Sequence, residues 1–215
     1  MGTIAASREW EAPAMVETVV LNGVRVLRGW LDAPAQARLV DRLRALARVA
    51  PFVTQVTPGG RPMSVRMTAA GRLGWVSDRS GYHYAARHPS GAAWPPIPAQ
   101  VMEIWNEVTG LARAPDCCLV NWYGEGARMG LHQDRDEADF SWPVLSVSLG
   151  DEALFRVGGV DAPRPSRSLW LRSGDVALLE GPARLAWHGV DRIRFGSSSL
   201  LPGGGRINLT LRVVE

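Results

Sequence analysis

The sequence contains no lysine: all 24 of its basic residues are arginine. Codon bias in a GC-rich genome accounts for that usage, although arginine also suits phosphate recognition better than lysine does. Cysteine is nearly absent too. Cys117 and Cys118 are the two cysteines, and they are adjacent. A disulfide framework needs spaced pairs and a zinc knuckle needs further Cys or His close by, so both are excluded. The chain reads as a reduced, intracellular protein, and a cytoplasmic location is expected. No apolar run approaches the roughly 18 residues of a membrane span. The start, "MGTIAASREWEAP", has no cationic stretch followed by an apolar one, which argues against a secretory leader. It also misses the myristoylation pattern, because Ala6 stands where Ser or Thr is required. There are no repeats, no low-complexity tail and no His-Glu-x-x-His of the helical zinc hydrolases.

What remains is 215 residues, 46% of them hydrophobic, enough for one globular unit with a real core. Net charge is +3 and the isoelectric point is near 9.4, which favours an acidic partner such as nucleic acid. "DAPAQARLVDRLRALARVA" predicts a helix with Asp32 as its cap, Pro34 in its first turn and Leu39, Val40, Leu43, Leu46 and Ala47 on one face. "IPAQVMEIWNEVTGLA" predicts a second, with Val101, Ile104, Trp105, Val108 and Leu111 together and Gly110 near its end. Residues 50–95, rich in Gly, Pro and Arg, read as strands and binding loops. After residue 115 come seven short runs bounded by turn residues: "CLVNWYG", "VLSVSLG", "ALFRVGG", "SLWLRSGD", "VALLEG", "RLAWHG" and "RINLTLRVV". Seven strands at this spacing predict a sandwich, jelly roll or barrel.

His132 and Asp134 lie two apart in "GLHQDRDEADF". On an extended segment they project to one face. With His188 of "LAWHGVDR" they would form a two-histidine, one-carboxylate triad, which suits Fe(II) with open coordination positions. A His-x-Asp pair alone is weak, and His83 and His88 read as ordinary. The last strand strengthens the case. Ile207, Leu209, Leu211 and Val213 fall on one face, Arg206, Asn208, Thr210 and Arg212 on the other. In "CLVNWYG", Leu119, Asn121 and Tyr123 share a face in the same way. If those polar faces turn into a barrel, an anionic ligand must offset the buried arginines, and a dicarboxylate fits. If they turn outward, they are solvated strand faces.

The stretch "NWYGEGARMGLHQDRDEADFSWPVLSVSLG", the later "WHG" and "RINLTLR" resemble the AlkB family of Fe(II)- and 2-oxoglutarate-dependent dioxygenases. The likeness to bacterial DNA-repair members extends back through "MSVRMTAAGRLGWVSDRSGYHY" and covers roughly residues 60–213. It implies a mainly β fold with flanking helices (α+β): a double-stranded β-helix, or jelly-roll, core at 114–215. Residues 1–113 would supply helices and a nucleotide-recognition lid. It implies Fe(II) as cofactor, 2-oxoglutarate and O2 as co-substrates, and His132, Asp134 and His188 as metal ligands and catalytic centre. Arg206 and Tyr123 would take the distal carboxylate of 2-oxoglutarate, with Asn121, Asn208 and Arg212 steadying its other end. Trp75 would sandwich the base opposite His132, Tyr82 would lie near a phosphate, Asp136 would meet an exocyclic amine, and Met67 would border the substrate.

The implied substrate is N-alkylated nucleic acid of the 1-methyladenine or 3-methylcytosine type, single-stranded DNA first, with a monomer as the acting unit. Formaldehyde, succinate and CO2 would leave. One departure stands out. After "GGV", where relatives place a basic residue toward nucleic acid, this chain has Asp161–Ala162, with Arg164 and Arg167 nearby. Two other readings stay open at this stage: an oxygenase of the same core acting on RNA, protein or a small molecule, and a barrel that binds without turnover.

Overall fold

The computed structural model describes residues 16–215. The readings made on the first residues, the leader and the myristoylation pattern, lie outside them. Among the described residues the strands are β1 (Thr18–Leu21), β2 (Val24–Leu27), β3 (Val53–Val56), β4 (Pro62–Gly71), β5 (Gly74–Asp78), β6 (Gly81–Ala85), β7 (Cys117–Tyr123), β8 (Met129–His132), β9 (Val144–Gly150), β10 (Glu152–Val157), β11 (Arg167–Leu171), β12 (Val176–Leu179), β13 (His188–Arg194) and β14 (Arg206–Arg212). Two α-helices accompany them, α1 (Ala33–Val49) after β2 and α2 (Ala99–Thr109) after β6.

Both helices form where the sequence predicts. The Asp32 side chain accepts from the Ala35 N–H at 2.7 Å, satisfying one of the orphan donors of the first turn. The helix ends at Ala50, whose extended backbone is what a following proline, Pro51, demands. Gly110 closes α2 at φ 68°, a left-handed conformation that glycine adopts without penalty. The buried stripes of α1 (Leu39, Val40, Leu43, Leu46) and α2 (Val101, Ile104, Trp105) pack on one face of the large sheet, against Val120, Val147, Leu209 and Leu211.

That sheet has eight strands in the order β1-β2-β12-β9-β14-β7-β4-β3. A second, four-stranded sheet runs β11-β10-β13-β8, and β5-β6 is a separate hairpin. The two larger layers make the jelly roll. β4, from the first half of the chain, pairs antiparallel along the full length of β7, so the large sheet draws on both halves. β14 lies at its centre, between β7 and β9. Its Ile207, Leu209 and Leu211 face the helices. Its Arg206, Asn208, Thr210 and Arg212 face the space between the sheets, so the polar face turns inward and is not a solvated surface.

One expected strand differs. "RLAWHG" is mostly not extended: a 3-10 turn covers Gly181–Ala183, and β13 begins only at His188. Arg184 explains the curl. Its guanidinium reaches the Trp142 carbonyl at 2.7 Å and the Asp134 carbonyl at 2.9 Å, which draws the segment inward. No helix among the described residues is long and apolar enough to cross a membrane.

Candidate active site

A cavity of about 420 Å³ lies between the two sheets. Its large-sheet wall carries Met67 (β4), Asn121 and Tyr123 (β7), and Arg206, Asn208 and Arg212 (β14). Its small-sheet wall carries His132 (β8) and His188 (β13), with Asp134 and Asp136 on the loop after β8. The hairpin adds Trp75 and Tyr82 at the rim. Every site residue singled out in the sequence therefore borders one space. His88 is not part of it: it is buried between Ser90 and the Pro51 carbonyl and sits edge-on to Trp94. His83 lies exposed on the hairpin. Asp161, Ala162, Arg164 and Arg167 are all exposed and outside the cavity wall.

His132 and His188 are direct cross-strand partners of β8 and β13. Pairing brings their ring centroids to 4.5 Å. Each imidazole Nδ1 bonds a backbone carbonyl at 2.9 Å, Gly130 for His132 and Ala186 for His188. That fixes the tautomer and leaves both Nε2 atoms as bare acceptors. They lie 3.8 and 3.7 Å from the two carboxylate oxygens of Asp134. One potential ligand atom from each of the three residues lies within 4.8 Å of the others.

The protonation states suit a cation. Burial first, then the neighbouring His132, pushes the His188 pKa down to about 4, so the ring is neutral with its lone pair free. Burial alone would raise the Asp134 carboxyl. Arg212 foremost, then the two histidines and Arg184, hold it well below the usual carboxylate range. Asp134 Oδ2 is buried without a hydrogen-bond partner. A buried, charged, unpartnered oxygen beside two free imidazole nitrogens is what a divalent metal satisfies, and the donor set of two nitrogens and one carboxylate suits Fe(II).

A second set of unmet atoms lies along the large-sheet wall. Arg206 is 1% exposed. One Nη donates to Ser148 Oγ at 3.0 Å, and the guanidinium sits 5.2 Å from the Tyr123 ring. Its Nε and other Nη have no partner, nor does Asn121 Oδ1. Burial lowers the arginine's pKa, with Tyr123 and Asp175 opposing. A buried guanidinium with two free donors calls for a carboxylate, which accepts both in parallel.

Residues 23–212 fit the 2OG-Fe(II) oxygenase superfamily. An alpha-ketoglutarate-dependent dioxygenase AlkB homolog of Caulobacter vibrioides is 59% identical over 194 residues, 90% of this chain and 88% of that one. The chain belongs to the AlkB family of 2OG-Fe(II) oxygenases. It is a dioxygenase that uses Fe(II), 2-oxoglutarate and O2. The solved structure of OsALKBH1 superimposes with a TM-score of 0.75 at 30% identity, covering 92% of this chain and 99% of that one. An Arabidopsis thaliana relative, DNA N(6)-methyladenine demethylase ALKBH1C, is 33% identical over 229 residues, 91% of this chain and 49% of that one.

Several residues of this AlkB-family site were not foreseen. Gln133, between the paired His132 and Asp134, bonds the carbonyls of Val160 and Leu185, tying the loop to the His188 side. Arg184 and Glu137 form a buried ion pair at 3.0 Å beneath Asp134. Their signal in the sequence is faint: one more acid among "DRDEAD", and an arginine within a run that reads as a strand.

Proposed function

We propose that this AlkB-family dioxygenase oxidatively demethylates N-alkylated bases of the 1-methyladenine and 3-methylcytosine type in nucleic acid, DNA first. The observation that carries the reading is the shared cavity: three metal-ligating side chains and an aromatic–acid pair, Trp75 and Asp136, open onto the same space. The relative named as a DNA N(6)-methyladenine demethylase supports a methylated DNA base as the substrate class.

His132, Asp134 and His188 would hold Fe(II) through the two Nε2 atoms and Oδ2 of Asp134. Arg206, with Tyr123, would bind the distal carboxylate of 2-oxoglutarate; Asn121, Asn208 and Arg212 would steady its metal-proximal end. Bound iron supplies the oxidation of an N-methyl carbon, coupled to conversion of 2-oxoglutarate and O2 to succinate and CO2. The N-hydroxymethyl product breaks its C–N bond, giving formaldehyde and the restored base.

The protein's part is placement. A flipped base loses its stacking in the strand, at a cost of a few kcal/mol that is least for damaged or unpaired bases. Stacking on Trp75 would return about 1–3 kcal/mol. Bases of this type carry positive charge, which the ring face of Trp75 and the carboxylate of Asp136 both favour. Met67 and Tyr82 would border the base and its phosphate. We assign the nucleotide-recognition lid to the part of the chain before residue 114, whose strands β1–β4 also complete the large sheet, and the metal- and co-substrate-binding residues to 114–215, the whole acting as one monomeric unit in the cytoplasm on single-stranded DNA.

The test is aerobic incubation with Fe(II), ascorbate, 2-oxoglutarate and a single-stranded DNA oligonucleotide carrying one 1-methyladenine, followed by mass spectrometry. Loss of one methyl group, dependent on 2-oxoglutarate and absent in His132→Ala, is the expected result. Succinate without demethylation would move the substrate to RNA, protein or a small molecule.

A further inference from the structure

The hairpin β5-β6 stands outside both sheets of the core. Within it Trp75 and Tyr84 are directly opposed cross-strand partners. Two consecutive acids of the loop after β8 hold their polar tips. Trp75 Nε1 donates to Asp136 at 2.7 Å, and the Tyr84 hydroxyl donates to Oε1 of Glu137. Asp136 is exposed, but the Glu137 side chain is only 1% exposed. Its other oxygen accepts from Arg184 at 3.0 Å, and Arg212 Nε lies 3.4 Å from Oε1. Those arginines also grip Asp134, Arg184 at the carbonyl (2.9 Å) and Arg212 at the carboxylate (2.8 Å).

A buried carboxylate is tolerated only when its oxygens are well paired. Arg184 and Arg212 would satisfy much of that need from within the core. The Tyr84 bond is different, because it comes from another sheet. We propose that Glu137 is a positioning residue that clasps the β5-β6 hairpin to the loop bearing Asp134. The same side chain then aligns Arg184 and Arg212 on Asp134 and holds the hairpin over the cavity. Closure of the rim and alignment of the metal-ligating carboxylate share one node. That the hairpin closes over a nucleobase rests on the function proposed above; the clasp itself does not.

Tyr84→Phe tests this by removing one hydroxyl and keeping the ring. Amide hydrogen exchange on the full, metal-free chain reads the clasp without any substrate. Loss of a bond to a charged acceptor should speed exchange of residues 74–85 by at least about tenfold. Exchange in β8 and β13 should stay unchanged. In a Glu137→Gln background the same hydroxyl deletion should have a smaller effect, because paired groups are non-additive. With the methylated oligonucleotide, Tyr84→Phe should raise KM for the strand several-fold and leave KM for 2-oxoglutarate where it was. Unchanged hairpin exchange, strictly additive variants, or acceleration spreading into β8 and β13 would each overturn the clasp. If the wild-type protein leaves the oligonucleotide untouched, the nucleobase reading fails and the exchange arm alone decides the clasp.

Discussion

Arg212 donates to Oδ1 of Asp134 at 2.8 Å, and the second oxygen of that carboxylate is left with no hydrogen-bond partner. The arginine therefore fixes the carboxylate by one oxygen and leaves Oδ2, 3.7 Å from His188 Nε2, as the free one. Arg212→Gln should weaken Fe(II) or Mn(II) binding, measured without 2-oxoglutarate, by about 10–100-fold, the usual effect of losing a group that orients a ligand. Unaltered metal affinity would show that Asp134 holds its orientation without help.

Arg206 makes the opposite kind of prediction. Its guanidinium is buried and only partly paired, so it costs stability in the ligand-free protein. Arg206→Met should leave the melting temperature of the ligand-free protein unchanged or raised. It should also abolish the stabilisation that 2-oxoglutarate confers on the metal-loaded wild type. Two charge-assisted bonds at about 1.5–3 kcal/mol each imply at least a hundredfold loss of co-substrate affinity by calorimetry.

The approach of β13 to β8 depends on Gly189. A Cβ at that position would lie 2.6 Å from the Met129 carbonyl oxygen and 2.7 Å from that of Gly130. Both contacts are backbone and cannot swing aside. Gly189→Ala should separate the strands at the His132–His188 pair. Metal binding should fall at least tenfold with little change in far-ultraviolet circular dichroism. A variant that still binds metal normally would mean that the strands can shift without cost.

Asp116 anchors the C-terminal segment. Its Oδ2 accepts from the Val214 N–H and from Arg113, each at 2.9 Å. Burial would raise its pKa, but these bonds, that of Glu215 and the charge of Arg113 bring it below the ordinary 3.8. A lowered carboxylate pKa stabilises the fold above the unfolded value and is lost as pH falls through the folded one. Asp116→Asn should cost about 1–3 kcal/mol at pH 7 in urea unfolding. The gap from wild type should narrow steadily as pH drops below about 4. A gap independent of pH would assign the loss to packing.

Much of this was legible in the chain. Helix caps and stripes are local, so Asp32, Pro34 and Gly110 mark α1 and α2 directly. Strict alternation marks β14, and the resemblance settles which way its arginines turn. Residues whose environment is assembled from distant segments were not legible. Arg184 sits in a run that alternates like a strand, and its bonds to Trp142, Asp134 and Glu137 bend it inward. β1 and β2 are too short for periodicity, and pairing with β12 makes them strands. Glu137 looks like one more surface acid until Tyr84 and two arginines close around it.

β14 alternates chemistry and core residue by residue, with neighbours paired on both edges. Shifting its register by one would put Arg206 and Arg212 under the helices and leucines in the cavity. The strand should accept many single substitutions yet no insertion or deletion. In a library of one-residue indels across 206–212, survivors should be absent, while the exposed loop at 161–164 tolerates them freely. The centre of the protein would then record its history as changes of letter, never of length.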